Sequence, residues 1–162
     1  MRKHYDLVRA VCHRIVINAA DAEDATQMAL ISIVRALPSF DRRSQFSTWV
    51  YRIATNAALD EIRRTKRRAI PTENETVYDT RVGDATSSVD AQIDVSHALA
   101  QLSEEYRTVI VLRHVADMEY DDIAVSLDIP VGTVRSRLAR GRAQLAEILG
   151  NSTSESERHN NV

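Results

Sequence analysis

The chain has 162 residues, 44% of them hydrophobic, with four glycines and three prolines, enough apolar content for one ordinary core or two small ones and few breakers. No run of about eighteen apolar residues occurs, nor a leader with a basic start and apolar centre, so the expectation is a soluble, unexported protein; the single cysteine, Cys12, cannot close an internal disulfide. The net charge of −2 hides a division: Met1 to Arg68 carries +6, Ala69 to Ala91 −4, Gln92 to Gly150 −3 and the tail from Asn151 −1. A basic first unit predicts a polyanionic partner.

No segment alternates with period two, so the predicted class is all-α: two small helical domains joined by a flexible acidic linker. Tyr5, Val8, Val11, Cys12, Ile15 and Val16 form a helical pattern ending near Asn18. His4, Cys12 and His13 lack metal-ligand spacing, and no metal or cofactor is expected. Asp21 is the expected cap of a second helix that runs to Leu37 and stops before Pro38. Asp21, Glu23, Asp24 and Gln27 crowd its first turns, where acidic groups complement the helix dipole by about 0.3–1 kcal/mol each. A docking surface for a basic partner is the other reading of the same residues.

Pro38 to Ser47 reads as a polar loop holding Phe40 and Phe46, with Ser47 or Thr48 available as the next cap. Phe40 suits either a hydrophobic staple or a ring at the edge of a strand-binding surface. The helix that follows carries two faces. Val50, Ala54, Ala57, Ala58 and Ile62 make a core stripe, while Trp49, Asn56, Asp60, Arg63 and Arg67 share another surface with Arg52 beside it. Guanidinium groups neutralise phosphates, aromatic faces accept unstacked bases and an amide can read a base edge, which is chemistry for a nucleic-acid strand. The competing reading is a solvated basic face above a core tryptophan. From Ala69 to about Ala91 the composition turns polar, acidic and aperiodic, and predicts the linker.

The second unit begins with Val95, Ala98, Leu99 and Leu102. Ser103 is expected to cap a helix with Glu104 and Glu105 in its first turn. A break at Asp117–Met118–Glu119, a helix from Tyr120 to Leu127, a turn at Asp128–Ile129–Pro130 and a helix from Val131 to about Leu149 have the spacing of a helix-turn-helix. Val134, Leu138, Gly141, Leu145 and Ile148 fall on the inner face of that last helix. Arg135, Ser136, Ala139 and Arg140 therefore point outward near its N-terminal half, a set suited to base edges and phosphates in a major groove. The tail, NSTSESERHNNV, is predicted to be disordered.

DAEDATQ, FSTWVYRIATNAALDEIRR and YDDIAVSLDIPVGTVRSRLARGRAQL, in that order around an acidic segment, resemble the bacterial extracytoplasmic-function group of sigma-70-type sigma factors. The resemblance covers nearly everything from Tyr5 to Leu149. It implies a cytoplasmic, non-catalytic protein that binds core RNA polymerase, directs it to promoter DNA and helps to open it, with no small-molecule substrate and with an anti-sigma factor as a further partner. By the same resemblance Asp21, Glu23, Asp24 and Gln27 match the segment that docks on the polymerase clamp helices. Phe40 and Asn56 match positions near the flipped base of the minus-ten element; Trp49, Arg52, Asp60 and Arg63 match the helix that supports melting, which Arg64 to Arg68 continue, Arg64 and Arg67 among them. Arg113, Arg135, Ser136, Ala139 and Arg140 match the surface that enters the minus-thirty-five groove.

The chain departs from the family pattern at three points. It starts abruptly inside what should be the first helix; Asp117–Met118–Glu119 replaces a glycine-containing turn; and Gly141 stands inside the recognition helix where alanine is usual, at a cost of about 0.5–1 kcal/mol. Two alternatives share parts of the pattern. A conventional helix-turn-helix regulator leaves the basic Phe40–Arg68 segment without a use, and a polymerase-binding adaptor that does not read DNA leaves Arg135 and Arg140 without one.

Overall fold

The computed structural model describes residues 2–68 and 88–159, with side chains described over 4–68 and 95–150. Most of the predicted linker lies outside these residues. Every regular element among them is helical: α1 (Arg2–Ile15), α2 (Ala19–Ala36), a 3₁₀ turn (Leu37–Ser39), α3 (Phe46–Arg68), α4 (Ser88–Gln101), α5 (Glu104–His114), α6 (Tyr120–Leu127) and α7 (Val131–His159).

Helices α1, α2 and α3 form the first unit. Val8, Val11, Cys12 and Ile15 recur at helical spacing on α1 and are essentially inaccessible, facing Ala22, Ala25 and Ala29 of α2 and Val50, Ala54 and Ala58 of α3. Small residues on two of the three helices let their axes approach closely. The buried hydroxyls of Thr26 and Thr55 donate back to the carbonyls of Ala22 and Tyr51 at 2.8 and 2.7 Å, so neither is stranded in the core.

Two caps differ from the sequence expectation. Asn18, at φ −71° and ψ 126°, accepts from the backbone N–H groups of Ala20 and Asp21 at 2.9 and 3.0 Å, so α2 starts before Asp21, which sits in its first turn. Asparagine here supplies both the side-chain oxygen and the extended backbone that a cap requires. At α3 the first helical bond runs from Trp49 N–H to the Gln45 carbonyl at 3.1 Å, which places Ser47 and Thr48 inside the helix rather than ahead of it.

The second unit is organised on α5, which is buried along most of its length from Arg107 to Leu112. Ser103 caps it through Tyr106 N–H, and α6 spans the predicted residues, closing at Asp128 in the left-handed region (φ 53°, ψ 48°). Helix α7 starts at Val131 with Val134 and Leu138 buried, and it continues to His159 through most of the tail predicted to be disordered. No proline follows Gly150, and an established helix adds one hydrogen bond per further residue. Helix α4 likewise starts at Ser88, inside the predicted linker.

The two units touch. Helix α1 packs on α5, α3 approaches α6, and one continuous apolar cluster runs through both. Lys66 at the end of α3 meets Glu104 at the start of α5 with 2.6 Å between Nζ and Oε2.

Candidate nucleic-acid interface

The first face belongs to the loop after α2 and to α3. Phe40, Phe46 and Trp49 form an aromatic cluster, with centroids 5.5 Å apart for Phe40–Phe46, 5.1 Å for Phe40–Trp49 and 5.7 Å for Phe46–Trp49; the His4 ring meets Phe46 edge-on at 5.3 Å. All four rings are half-buried. The cluster ties the loop to α1 and α3 while leaving its rings partly accessible, so Phe40 serves the packing role and keeps some of the exposure that the other reading needs. Beyond it Arg52, Asn56, Asp60, Arg63 and Arg67 are exposed. Arg63 is held by Asp60 at 2.8 Å, and Asn56, Asp60 and Arg67 border a groove of about 660 Å³ with Met28 and Ile53 on its walls.

Arg64 differs from its neighbours. Its guanidinium bonds to Glu61 at 2.8 Å and reaches Asp24 at 3.5 Å, and the Glu61 hydrogen bond is the main cause that raises its pKa. Glu61, 5% exposed, is a site residue that the sequence reading missed. Its signal was present: it lies three residues after Ala58 on the core stripe and three before Arg64, the spacing of a helical ion pair.

The acidic turn of α2 is divided. Asp21 accepts from Thr65 Oγ1 at 3.2 Å and Asp24 pairs with Arg64, whereas Glu23 faces α1, 3.1 Å from His13 Nε2 and 3.6 Å from Arg9. Gln27 is exposed one turn further on. These residues form an edge along α2 rather than one free patch. Cys12 lies under this edge with Sγ 3.8 Å from the Ala54 carbonyl, and burial pushes its thiol up to about 11.

The second face is the start of α7. Arg135, Ser136, Ala139 and Arg140 are all exposed, and Ser136 Oγ donates to the Thr133 carbonyl at 3.0 Å. Arg113 stands apart from them. Its Nη1 donates to the Met118 carbonyl at 3.0 Å and to Glu119 at 3.2 Å, and the guanidinium lies 5.7 Å from the Tyr120 ring centre. It therefore holds the turn between α5 and α6, where Asp117 takes φ 51° in the absence of glycine.

Three more residues that the sequence reading passed over set this face. Arg137 pairs with Glu105 at 3.0 Å, tying α7 to α5. Arg142 Nε donates to His114 Nε2 at 3.3 Å, and burial together with the Arg142 and Arg113 charges lowers the His114 pKa. Arg107, 5% exposed, donates to the carbonyls of Leu99, Ala100 and Leu102 at 3.3–3.5 Å and so closes the C-terminus of α4. Among the described residues no group of three or more His, Cys, Asp and Glu side chains is placed to hold a metal ion, and no helix is long and apolar enough to cross a membrane.

Residues 1–68 match the family profile Sigma-70 region 2, and residues 92–145 match Sigma-70, region 4. The chain is 38% identical over 156 residues to the ECF RNA polymerase sigma factor SigW of Bacillus subtilis, covering 89% of this chain and 83% of that protein. It is 38% identical over 150 residues to SigM of Mycobacterium tuberculosis, covering 92% and 74% respectively. Among solved structures it resembles the sigma factor RpoE in complex with the anti-sigma factor NepR from Bartonella quintana, with 26% identity, a TM-score of 0.81 and coverage of 91% of this chain and 92% of that one.

Two helical units in this order, one with a basic helix and one with a helix-turn-helix, define a sigma factor. The chain belongs to the ECF sigma factors of the sigma-70 family. Members of this family are not enzymes: they are promoter-specific initiation factors that bind core RNA polymerase and promoter DNA.

Proposed function

We propose that the two exposed faces divide promoter recognition in this chain. Arg135, Ser136, Ala139 and Arg140 enter the minus-thirty-five major groove. The observation that carries this reading is the split of α7, with Val134 and Leu138 inaccessible while those four side chains face solvent. Arginine forks onto guanine, serine bonds to either edge or to phosphate, and alanine lets the helix approach closely or touches a thymine methyl. Arg113 contributes by positioning the α5–α6 turn as well as through the charge it leaves at the surface.

On the first unit, Asn56 and the aromatic edge of Phe40 and Trp49 receive the minus-ten strand. Arg52, Arg63 and Arg67 neutralise its phosphates, and Asp60 orients Arg63. Opening then needs no fuel: capture of an extruded base offsets a few kcal/mol of unstacking, and backbone neutralisation adds to it. Arg64 is shared with Glu61 and Asp24, so its part is to brace the end of α3 against α2. Asp21, Glu23, Asp24 and Gln27 offer the α2 edge to the polymerase clamp. The protein has no catalytic step of its own, works in the cytoplasm and is held in check by an anti-sigma factor.

Polymerase holoenzyme assembled with Arg135→Ala/Arg140→Ala tests the assignment on promoter fragments. Retained core binding with loss of discrimination at the upstream element is the expected result. Unchanged discrimination would move recognition away from α7.

A further inference from the structure

Arg142 Nε donates to His114 Nε2 at 3.3 Å, joining the middle of α7 to the end of α5. Both side chains are exposed. Only an unprotonated ring nitrogen accepts such a bond, so the imidazole is neutral and the guanidinium keeps its four Nη protons for another acceptor. Among the described residues no carboxylate pairs with either group, whereas Arg113, next to His114, holds Glu119 at 3.2 Å and Asp117 at 3.6 Å. Arg142 is thus a cation to which the fold gives a neutral partner and no counter-charge.

Its place on α7 indicates what anion it would meet. Helical spacing sets Arg142 in one column with Arg135 and Ala139, at i, i+4 and i+7. It lies about 10 Å further along the axis than Arg135, at a rise of 1.5 Å per residue. A recognition helix reads base edges with its N-terminal residues in a groove about 8.5 Å deep, so the following turns of the same column stand level with the phosphates of the groove wall. His114 reaches that wall from α5, carried there by its bond to Arg142.

We propose that His114 and Arg142 form a backbone-phosphate site at the rim of the upstream face, where DNA binding draws a proton onto His114 and so links upstream affinity to pH. The site rests on the reading of α7 given above. In the free chain, burial and then the Arg142 and Arg113 charges keep the His114 pKa below its ordinary 6.5. Asp117 and Glu119, the carboxylates of the turn that follows, are directed to Arg113 instead. A phosphate at Arg142 cancels part of that repulsion and adds an anion beside the ring, so the pKa rises in the complex and Nε2 turns from acceptor to donor. The sign follows from linkage. The added affinity is complete below the free-chain pKa and is lost as pH rises through the pKa of the complex. Each unit by which phosphate raises the ring is worth about tenfold in affinity.

Anisotropy of the full chain with a random-sequence pool of labelled twenty-base-pair duplex tests the site, because a phosphate contact carries no sequence information. At constant low salt the native chain is expected to bind about three- to tenfold more tightly at pH 5.5 than at pH 7.5. His114→Gln still offers Arg142 an acceptor but cannot titrate; it should match the native chain at pH 7.5 and lose most of the gain at pH 5.5. His114→Lys carries its charge throughout and should bind at pH 7.5 as tightly as the native chain does at pH 5.5. Arg142→Ala should flatten the pH profile and reduce the slope of log affinity against log salt by about 0.9.

A gain on acidification that His114→Gln keeps in full, or a native chain without any gain, would overturn the proposal. A purely structural role for His114 would move stability in these variants and leave the pH profile of binding unaltered. The reading of α7 is checked separately by discrimination among promoter fragments with Arg135→Ala/Arg140→Ala. Discrimination that depends on those arginines, together with binding to the pool that ignores pH, would remove the proton-linked site alone.

Discussion

Replacing Gly141 with alanine sets helix propensity against packing. In an open helix the change is worth about 1 kcal/mol of stabilisation. Gly141 is not in an open helix: a β-carbon there would lie 2.8 Å from Ile110 Cδ1 and 3.2 Å from Tyr106 Cβ, both on α5. Ile110 is 4% exposed, so its terminal methyl has no solvent to swing into, and the Tyr106 β-carbon moves only with the α5 backbone. Overpacking of this kind costs about 1–3 kcal/mol, and the net expectation is a loss of about 1 kcal/mol. In a unit of this size that lowers the melting midpoint by about 4–8 °C. Urea unfolding of Gly141→Ala in two backgrounds isolates the cause. With Ile110→Val the 2.8 Å contact is gone and the 3.2 Å approach to Tyr106 Cβ remains, so alanine should lose part of its penalty, a coupling that a double-mutant cycle reads directly. Stabilisation by the full helix-propensity value with Ile110 intact would refute the close-contact account of this glycine.

Asp117→Gly relieves a left-handed residue at φ 51° and gives up only a 3.6 Å contact between Arg113 and a side chain that is 93% exposed; a gain of about 0.5 kcal/mol in urea unfolding is expected, reduced by the flexibility glycine adds to the unfolded chain. Arg107→Met keeps the apolar stem but strands the carbonyls at the end of α4, so the second unit should lose about 2–4 kcal/mol, measured by thermal unfolding. His114 has a folded pKa below its ordinary 6.5, so the unfolded chain binds the proton more readily. Stability should accordingly be intact above pH 6.5 and decline as pH falls below it; urea midpoints at pH 7.5 and 5.5 should differ less for His114→Gln than for the native residue.

The elements were legible where one local rule decided them. Period 3.6 placed Val134 and Leu138 inside and Arg135 and Arg140 outside, and Ser103 capped α5 because the hydroxyl, the two glutamates and the apolar run agreed. Caps between competing polar residues were less readable: Asn18 and Asp21 both suit the role, and geometry chose Asn18. Residues acting across the chain left little local trace. Arg113 reads, by resemblance, as one more cation of the groove-facing set until the Met118 carbonyl arrives beside it, and Arg107 closes a helix end that precedes it in sequence. Gly141 is the clearest instance. Propensity alone marks it as a defect, and only the approach of α5 to α7 shows why alanine does not fit. The packing of the two units is likewise tertiary, since nothing in the spacing of Lys66 and Glu104 announces their contact.

The central claim is that this chain redirects RNA polymerase through two separate DNA faces. Run-off transcription with purified core polymerase on a pool of promoter fragments tests it most directly, comparing the native chain with Asn56→Ala and Arg140→Ala. Initiation at defined sites, reduced by each substitution, is the predicted result. Binding to duplex DNA without any redirected initiation would contradict it and return the chain to the conventional helix-turn-helix regulators.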